Sequence, residues 1–289
     1  MKRILLILLF AATTFAVGAA SYVGFSAGAF SAWQIDNYEP TRPLFGGGAD
    51  VTLHYHLVHG HFLFDTGVGI SFDRTVFSLP NQTVSIKAFT NQGIEYSLVS
   101  NIKDRKDAAN STYLQVPLMF GGEFGNYYFL VGAKFNLNIW GNTQQRALYD
   151  TKAVFDRYYE PFVDMPQHGL HDFNPTTSLG SLRYNYDVLA CIEAGWTFNF
   201  GSAQRGTSRQ KLRVGLFFQA GMLNINKSDG TAALTETRLD NEQLRLVLNH
   251  VVRTADMSES WLRNMNVGIR LTYLLNVRFN RRKPCKCQE

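Results

Sequence analysis

After residue 20 the sequence has no apolar run approaching eighteen residues, the length a membrane-crossing helix requires. A multi-helix membrane protein is therefore excluded. Cysteine is scarce, with three residues in the whole chain. Cys191 falls in a strand-like segment. Cys285 and Cys287 form Cys-Lys-Cys near the end, where a bond between residues two apart would be strained. That is no disulfide framework, and two thiols without a neighbouring His make a poor metal site. No Cys follows the small residues at 17–20, so lipoprotein processing is not expected. Charge of one sign is also modest. The net +5 includes Lys2 and Arg3, and the rest is no nucleic-acid footprint. The sequence has no Gly-x-Ser-x-Gly elbow, phosphate loop or His-Glu-x-x-His zinc helix.

What is present begins with an export signal, expected over residues 1–20. Lys2 and Arg3 start it, Ile4 to Phe10 are almost purely aliphatic, and Val17, Gly18, Ala19 and Ala20 close it. A retained anchor helix is the competing reading of this stretch. Beyond it, segments of roughly ten residues alternate apolar with polar or small residues. Val51, Leu53, Tyr55 and Leu57 share a face, and Asp50, Thr52, His54 and His56 share the other. Strand side chains point to opposite sides in turn, so one face meets an oily surrounding and the other a wet one.

Eight such segments are expected as strands: Tyr22–Ile35, Gly48–Leu57, His61–Val76, Thr112–Gly122, Tyr127–Trp140, Tyr184–Phe200, Leu212–Leu223 and Met265–Phe279. Pro117 lies inside the fourth, where it cannot donate a ladder hydrogen bond and marks a bulge or an unpaired position. The links after the second, fourth and sixth strands are short, and those after the odd strands are longer. Bacterial barrels place short turns in the periplasm and long loops outside. The expectation is an all-β fold: a transmembrane antiparallel up-and-down β-barrel over residues 21–279, with long extracellular loops, both termini periplasmic and a basic periplasmic tail at 280–289. Thr83–Phe89 and Ile94–Val99 also alternate. They are either two further barrel strands, giving ten, or a hairpin above the membrane, leaving eight. Arg205, Arg209 and Lys211 are read as a solvated periplasmic turn.

The strand Tyr113-Leu-Gln-Val-Pro-Leu-Met-Phe-Gly-Gly122, the Gly strand Tyr128-Phe-Leu-Val-Gly-Ala-Lys134 and the closing Gly268-Ile-Arg-Leu-Thr-Tyr-Leu274 resemble the PorT-like outer-membrane barrel domain of Bacteroidota. Val277-Arg-Phe279 is similar to the terminal signal read by barrel-assembly machinery. The resemblance implies an outer-membrane location and, for a few members, a part in protein secretion. It implies no catalytic residue.

Three groups of residues could carry function. His54 and His56 share the polar face at a spacing that can place two imidazoles on one metal, with His59 and His61 at the adjoining turn. Asp50, Asp65, Lys134, Asp187, Glu193 and Arg270 point inward. In an eight-stranded barrel the lumen is just filled by side chains, so they read as a salt-bridged plug or as the lining of a narrow solute path. The loops supply Tyr158, Tyr159 and Phe162, and a segment over Asp240–Val252 that reads as a short helix. Its stripe of Leu244, Val247, Leu248 and Val251 covers either the other loops or a partner. Ser178, Ser181, His168, His171 and Asp172 could gather at the rim as a lipid A-modifying site, but loop composition explains them. The expectation is a non-enzymatic structural or accessory surface protein without cofactors. Its partners would be outer-membrane lipid and lipopolysaccharide, barrel-assembly machinery and an envelope protein, with no nucleic acid. A narrow channel is the alternative.

Overall fold

A computed structural model describes residues 20–90, 92–155, 162–163, 165, 170, 172–173, 176–201, 209–227, 233–240 and 243–277. The export signal apart from Ala20, the basic tail, Tyr158, Tyr159, His168, His171, Arg205, Cys285 and Cys287 lie outside the described residues.

The strands in chain order are β1 (Ala20–Asp36), β2 (Arg42–His59), β3 (Phe62–Ser78), β4 (Gln82–Phe89), β5 (Glu95–Phe124), β6 (Tyr127–Val154), β7 (Asp172–Phe173), β8 (Thr176–Ser181), β9 (Asp187–Phe200), β10 (Gln210–Gly221), β11 (Thr235–Asp240), β12 (Gln243–Leu248) and β13 (Leu262–Asn276). Eight of them form a ring, in the order β1, β2, β3, β5, β6, β9, β10, β13 and back to β1. Every pairing is antiparallel; Ala27 stands between Val51 on β2 and Leu271 on β13. Closure satisfies the backbone without leaving an edge, which lipid requires.

Alternation decides which side meets which solvent. On β10, Leu216 is 65% exposed and the next residue, Phe217, 3%. Around the ring Phe25, Leu53, Val68, Ile70, Phe135, Ile192, Trp196, Leu216 and Ile269 all stand exposed. A continuous apolar belt of this extent is unstable against water and suits the hydrocarbon of a bilayer, which makes this a membrane-spanning barrel. The ring is closed at one end by short turns; Gly60, at φ +59°, supplies the left-handed residue between β2 and β3. Pro117 behaves as its chemistry demands. It pairs with Lys134 on the β6 side, while the ladder to β3 is interrupted between Thr66/Leu118 and Gly69/Gln115.

The strand count is eight. Among the described residues Gln82–Phe89 pairs only with Glu95–Ile102, so this hairpin stands beyond the ring instead of adding two strands to it. Residues 100–111 and 141–154, expected as loop, are strand: β5 has 30 residues and β6 has 28. The inward parity of β6 changes at a bulge, where Thr112 faces Trp140 but Tyr113 faces Asn138. Ile139 is the extra residue, and beyond it the odd positions Gly141, Thr143, Gln145 and Ala147 turn inward.

The helix expected over Asp240–Val252 is not formed. β11 and β12 make a two-stranded hairpin there, with Leu239 opposite Leu244. Leu244, Leu246 and Leu248 fit a period of two as well as the helical stripe, and an isolated helix of this length is marginal. Among the described residues the one α-helix is α1, Ala255–Ser258, whose Thr254 cap accepts a hydrogen bond from the Met257 amide at 3.3 Å. A turn of 3-10 helix at Val251–Arg253 precedes it. These turns lie over the long-loop mouth of the barrel. Val251, Val252, Met257 and Ile225 pack there with Phe77, Ala109, Tyr113 and Leu182 of the rim.

Candidate functional site

The lumen is the most chemically dense part of the molecule, and all eight ring strands contribute to it. At the short-turn end, Glu123 accepts from Lys211 Nζ and from Arg213 Nη2, each at 2.5 Å. Arg213 is 1% exposed and lies over the Tyr128 ring at 4.8 Å, while Lys211 lies over Tyr22 at 5.0 Å. Lys211 is thus a buried lumen residue, not part of a solvated turn. Its alternation with outward Leu212 carries it inside.

One layer further in, Asp65 Oδ1 lies 2.8 Å from His54 Nδ1 and 3.1 Å from His56 Nε2. The ring protons can be placed from these partners. Arg213 Nη1 contacts His56 Nδ1 at 3.2 Å. Arginine has no acceptor, so that nitrogen accepts and Nε2 carries the proton, close to Asp65 but outside hydrogen-bond geometry. His54 turns its Nδ1–H to the carboxylate and accepts from Ser26 Oγ at Nε2, 2.8 Å away. His54, His56 and Asp65 are close enough to enclose a metal ion. Seating one would expel the proton on His56 Nε2 while Arg213 holds the opposite nitrogen, and would add positive charge beside buried Arg213 and Lys211. The set fits a hydrogen-bond relay better than a metal centre. His59 and His61 do not join it; both are exposed, and His61 stacks on Phe124 at 5.2 Å. Ser26, His54 and Asp65 also have the connectivity of a nucleophile, base and orienting acid. Ser26 is fully buried, however, with its hydroxyl held by His54.

The middle layer centres on Arg270. It donates to Asp50 at 2.6 Å and to Glu193 at 2.5 Å, with its guanidinium over the Phe217 ring at 4.3 Å. Tyr128 Oη donates to the other Glu193 oxygen at 2.8 Å, and Lys134 Nζ stands 3.6 Å from Asp50. Gly215 makes room for this packing, since a Cβ there would stand 2.1 Å from the Tyr128 hydroxyl. Charges held this far from water persist only when each has a partner. Asp187 stands apart, nearer the long-loop end. It accepts from Asn264 at 3.0 Å, and the chain continues through Gln34 to Thr75 and Tyr184.

The cap is fastened by a second buried pair. Arg105 grips Asp107 at 3.1 and 3.3 Å and donates to the carbonyls of Leu234 and Asn249. Asp107 accepts from the Val251 amide at 2.8 Å. His250 is buried between them, its Nε2 facing the Ala108 carbonyl at 3.2 Å. Burial lowers its pKa below the usual value, against the opposing pull of Asp107.

Five of the six charges expected in the lumen are thus drawn into two adjoining layers, while Asp187 belongs to a separate amide chain. Tyr128 joins the Arg270 layer, Glu123 and Arg213 form a further layer at the short-turn end, and none of the three was anticipated as a site residue. The β2–β3 turn contained a usable signal: counting back from Gly60 puts His56 opposite Asp65. Of the residues expected to meet a partner, Val251 and Leu248 are buried in the cap, Leu248 against Ile102 and Ala147. Val247 is half-buried and Phe162 packs on Phe155. The side chain of Leu244 lies outside the described residues.

No family model matches the chain, and no curated protein does. Among solved structures it is similar to neisserial surface protein A (10% identity, 90% of this chain and 99% of that one, TM-score 0.29). It is also similar to the outer membrane protease OmpT of Escherichia coli (8%, 89% and 97%, TM-score 0.33) and to Ail, the attachment invasion locus protein of Yersinia pestis (7%, 87% and 98%, TM-score 0.24). Overlaps at these scores bear on no residue's role; the barrel's own geometry carries the functional reading.

Proposed function

We propose that the chain is a non-enzymatic, sealed barrel of the Gram-negative outer membrane, a structural or accessory component whose extracellular side meets an envelope partner. In this reading residues 1–20 direct export and both termini face the periplasm. The observation that carries it is the Arg270 layer. Its ion pairs cross the lumen, aromatic rings pack against them, and the cap lies over the mouth. A solute path would need mobile, hydrated charges where these are buried and paired.

The surface left for a partner is the sheet beyond the membrane. β4 forms its outer edge and has no second neighbour among the described residues. Phe89 and Val163 stand exposed nearby in the chain's extramembrane half. An open strand edge with exposed apolar side chains suits strand addition by another chain. A role beside a secretion machine, as in some PorT-like proteins, is the form of partnership that the Tyr113–Gly122 strand suggests. Mild detergent extraction followed by affinity purification tests the partner: a companion lost when Phe89 and the β4 edge are altered supports the reading. A clean monomer from native envelopes opposes it. Steady unitary currents from purified protein in planar bilayers would replace it with the channel.

A further inference from the structure

A sealed barrel leaves one structural feature outside the lumen unexplained. On the outer face of the long-loop rim a groove of about 460 Å³ runs between the β2–β3 and β5–β6 strands. Leu44, Phe45 and Val76 form its apolar wall, and Arg74, Lys106 and Arg146 bring cations to it. Lys106 and Arg146 are direct cross-strand partners, and both are exposed. Like charges placed opposite one another are destabilising. None of the three cations forms an ion pair among the described residues. Arg74 is held by neutral amides instead, Asn110 Oδ1 at 3.5 Å and Gln144 Oε1 at 3.4 Å, which orient it without spending its charge.

The position of the groove identifies what would neutralise it. Arg74 follows Phe72 on the outward face of β3, and Arg146 lies on β6 beyond Trp140; both aromatics are exposed belt residues. Phe45, 76% exposed, is packed edge-on against Trp33 at 5.2 Å. Arg74 therefore sits one outward position above the apolar belt, and Lys106 and Arg146, level with Ser78, sit two positions beyond it; all three open sideways at the lipid–water boundary and not toward the lumen. A soluble anion would satisfy the charges but leave the apolar wall bare. We infer that the groove binds the phosphorylated head of an outer-leaflet glycolipid of the lipid A type. Its phosphates lie among Arg74, Lys106 and Arg146, and its acyl chains lie along Phe45, Phe72 and Trp140. The inference rests on the outer-membrane reading and adds to it a lipid-specific site.

The test uses full-length mature protein folded in detergent micelles. Folding is read by the heat-dependent shift in electrophoretic mobility, and binding by native mass spectrometry. The probes are diphosphoryl lipid A, dephosphorylated lipid A and phosphatidylglycerol. The variants are Lys106→Gln with Arg146→Gln, Arg74→Gln, and a control, Arg263→Gln, whose cation stacks on Trp261 away from the groove. The expected result is preferential retention of diphosphoryl lipid A by the wild type, weakened roughly fivefold per groove cation removed and unchanged in Arg263→Gln. Equal losses in the control, equal retention of the dephosphorylated lipid, or equal binding of phosphatidylglycerol would overturn the site. A chain that never yields a folded, micelle-dependent form would overturn the membrane reading itself, which keeps the two failures apart.

Discussion

The lower and upper halves of the same strands present different outer faces. Along the belt, β5 and β6 turn Val116, Leu118, Phe129 and Val131 outward and Gln115, Glu123, Tyr128 and Lys134 inward. Above the Ile139 bulge the outward face turns polar, with Lys106 and Arg146 facing out. The interior becomes mixed there: Ala109, Ile102, Leu98, Ala147 and Ala153 face in beside Arg105, Asp107 and Gln145. The backbone pairing continues unbroken in kind from one half to the other. What changes is the solvent: lipid surrounds the lower half and water the upper. The outward face changes from apolar to polar where lipid gives way to water, and apolar residues join the paired charges inside.

The contrast can be broken most severely at the lumen. Arg270→Met leaves Asp50 and Glu193 buried without their cation, and a loss of about 3–5 kcal/mol is expected. It should appear as a lower urea midpoint of the folded electrophoretic form, and an unchanged midpoint would show the pairs to be idle. A charge in the belt should cost somewhat less. Leu216→Arg is expected to lose about 2–4 kcal/mol in a bilayer, as charges near the midplane do. A polar substitution at exposed Lys106 should leave the midpoint unmoved.

In the upper half the expected effect is smaller and local. Val251→Ala removes two buried methyl groups from the cap, worth about 2 kcal/mol. Hydrogen exchange should quicken over residues 243–258 while the ring amides stay protected. Simultaneous loss in both would mean that cap and ring are one cooperative unit. The gentlest perturbation is pH. His250 is held neutral by burial, so its folded pKa lies below the unfolded value. Its contribution is fully present above about pH 6.5 and declines as pH falls below that. Cap protection should therefore weaken between pH 7.5 and 5, and His250→Gln should remove most of that dependence. Protection that is flat with pH in the wild type would contradict this.

Much of the lower half could be read from residue order because its two faces differ so sharply. Leu212, Val214, Leu216 and Phe218 alternate with Lys211, Arg213, Gly215 and Phe217, and no other assignment suits them. The inward charges followed from the same parity, but their partners did not. Arg270 meets Glu193 and Asp50 across the lumen, and nothing local encodes that contact. The upper half escaped for two physical reasons. Its outward residues are polar, so β5 above Ser111 resembles a loop to any rule that expects an oily exterior. The bulge at Ile139 also shifts β6 by one position, which scrambles a fixed period. The stripe through Leu244, Val247, Leu248 and Val251 misled because a short apolar run fits periods of both two and 3.6.

One scan tests the central claim, that lipid solvates the outer face of the ring while the lumen is closed. Nitroxide labels placed singly at residues 214, 216, 217, 218 and 219 of β10 in the reconstituted protein can be challenged with oxygen, which partitions into lipid, and with a water-soluble nickel chelate. High oxygen accessibility at 214, 216 and 218, with low accessibility to both reagents at 217 and 219, is the predicted result. Strong nickel accessibility at 217 would show an open, water-filled lumen. Accessibility to nickel at 216 would show that no bilayer surrounds the barrel.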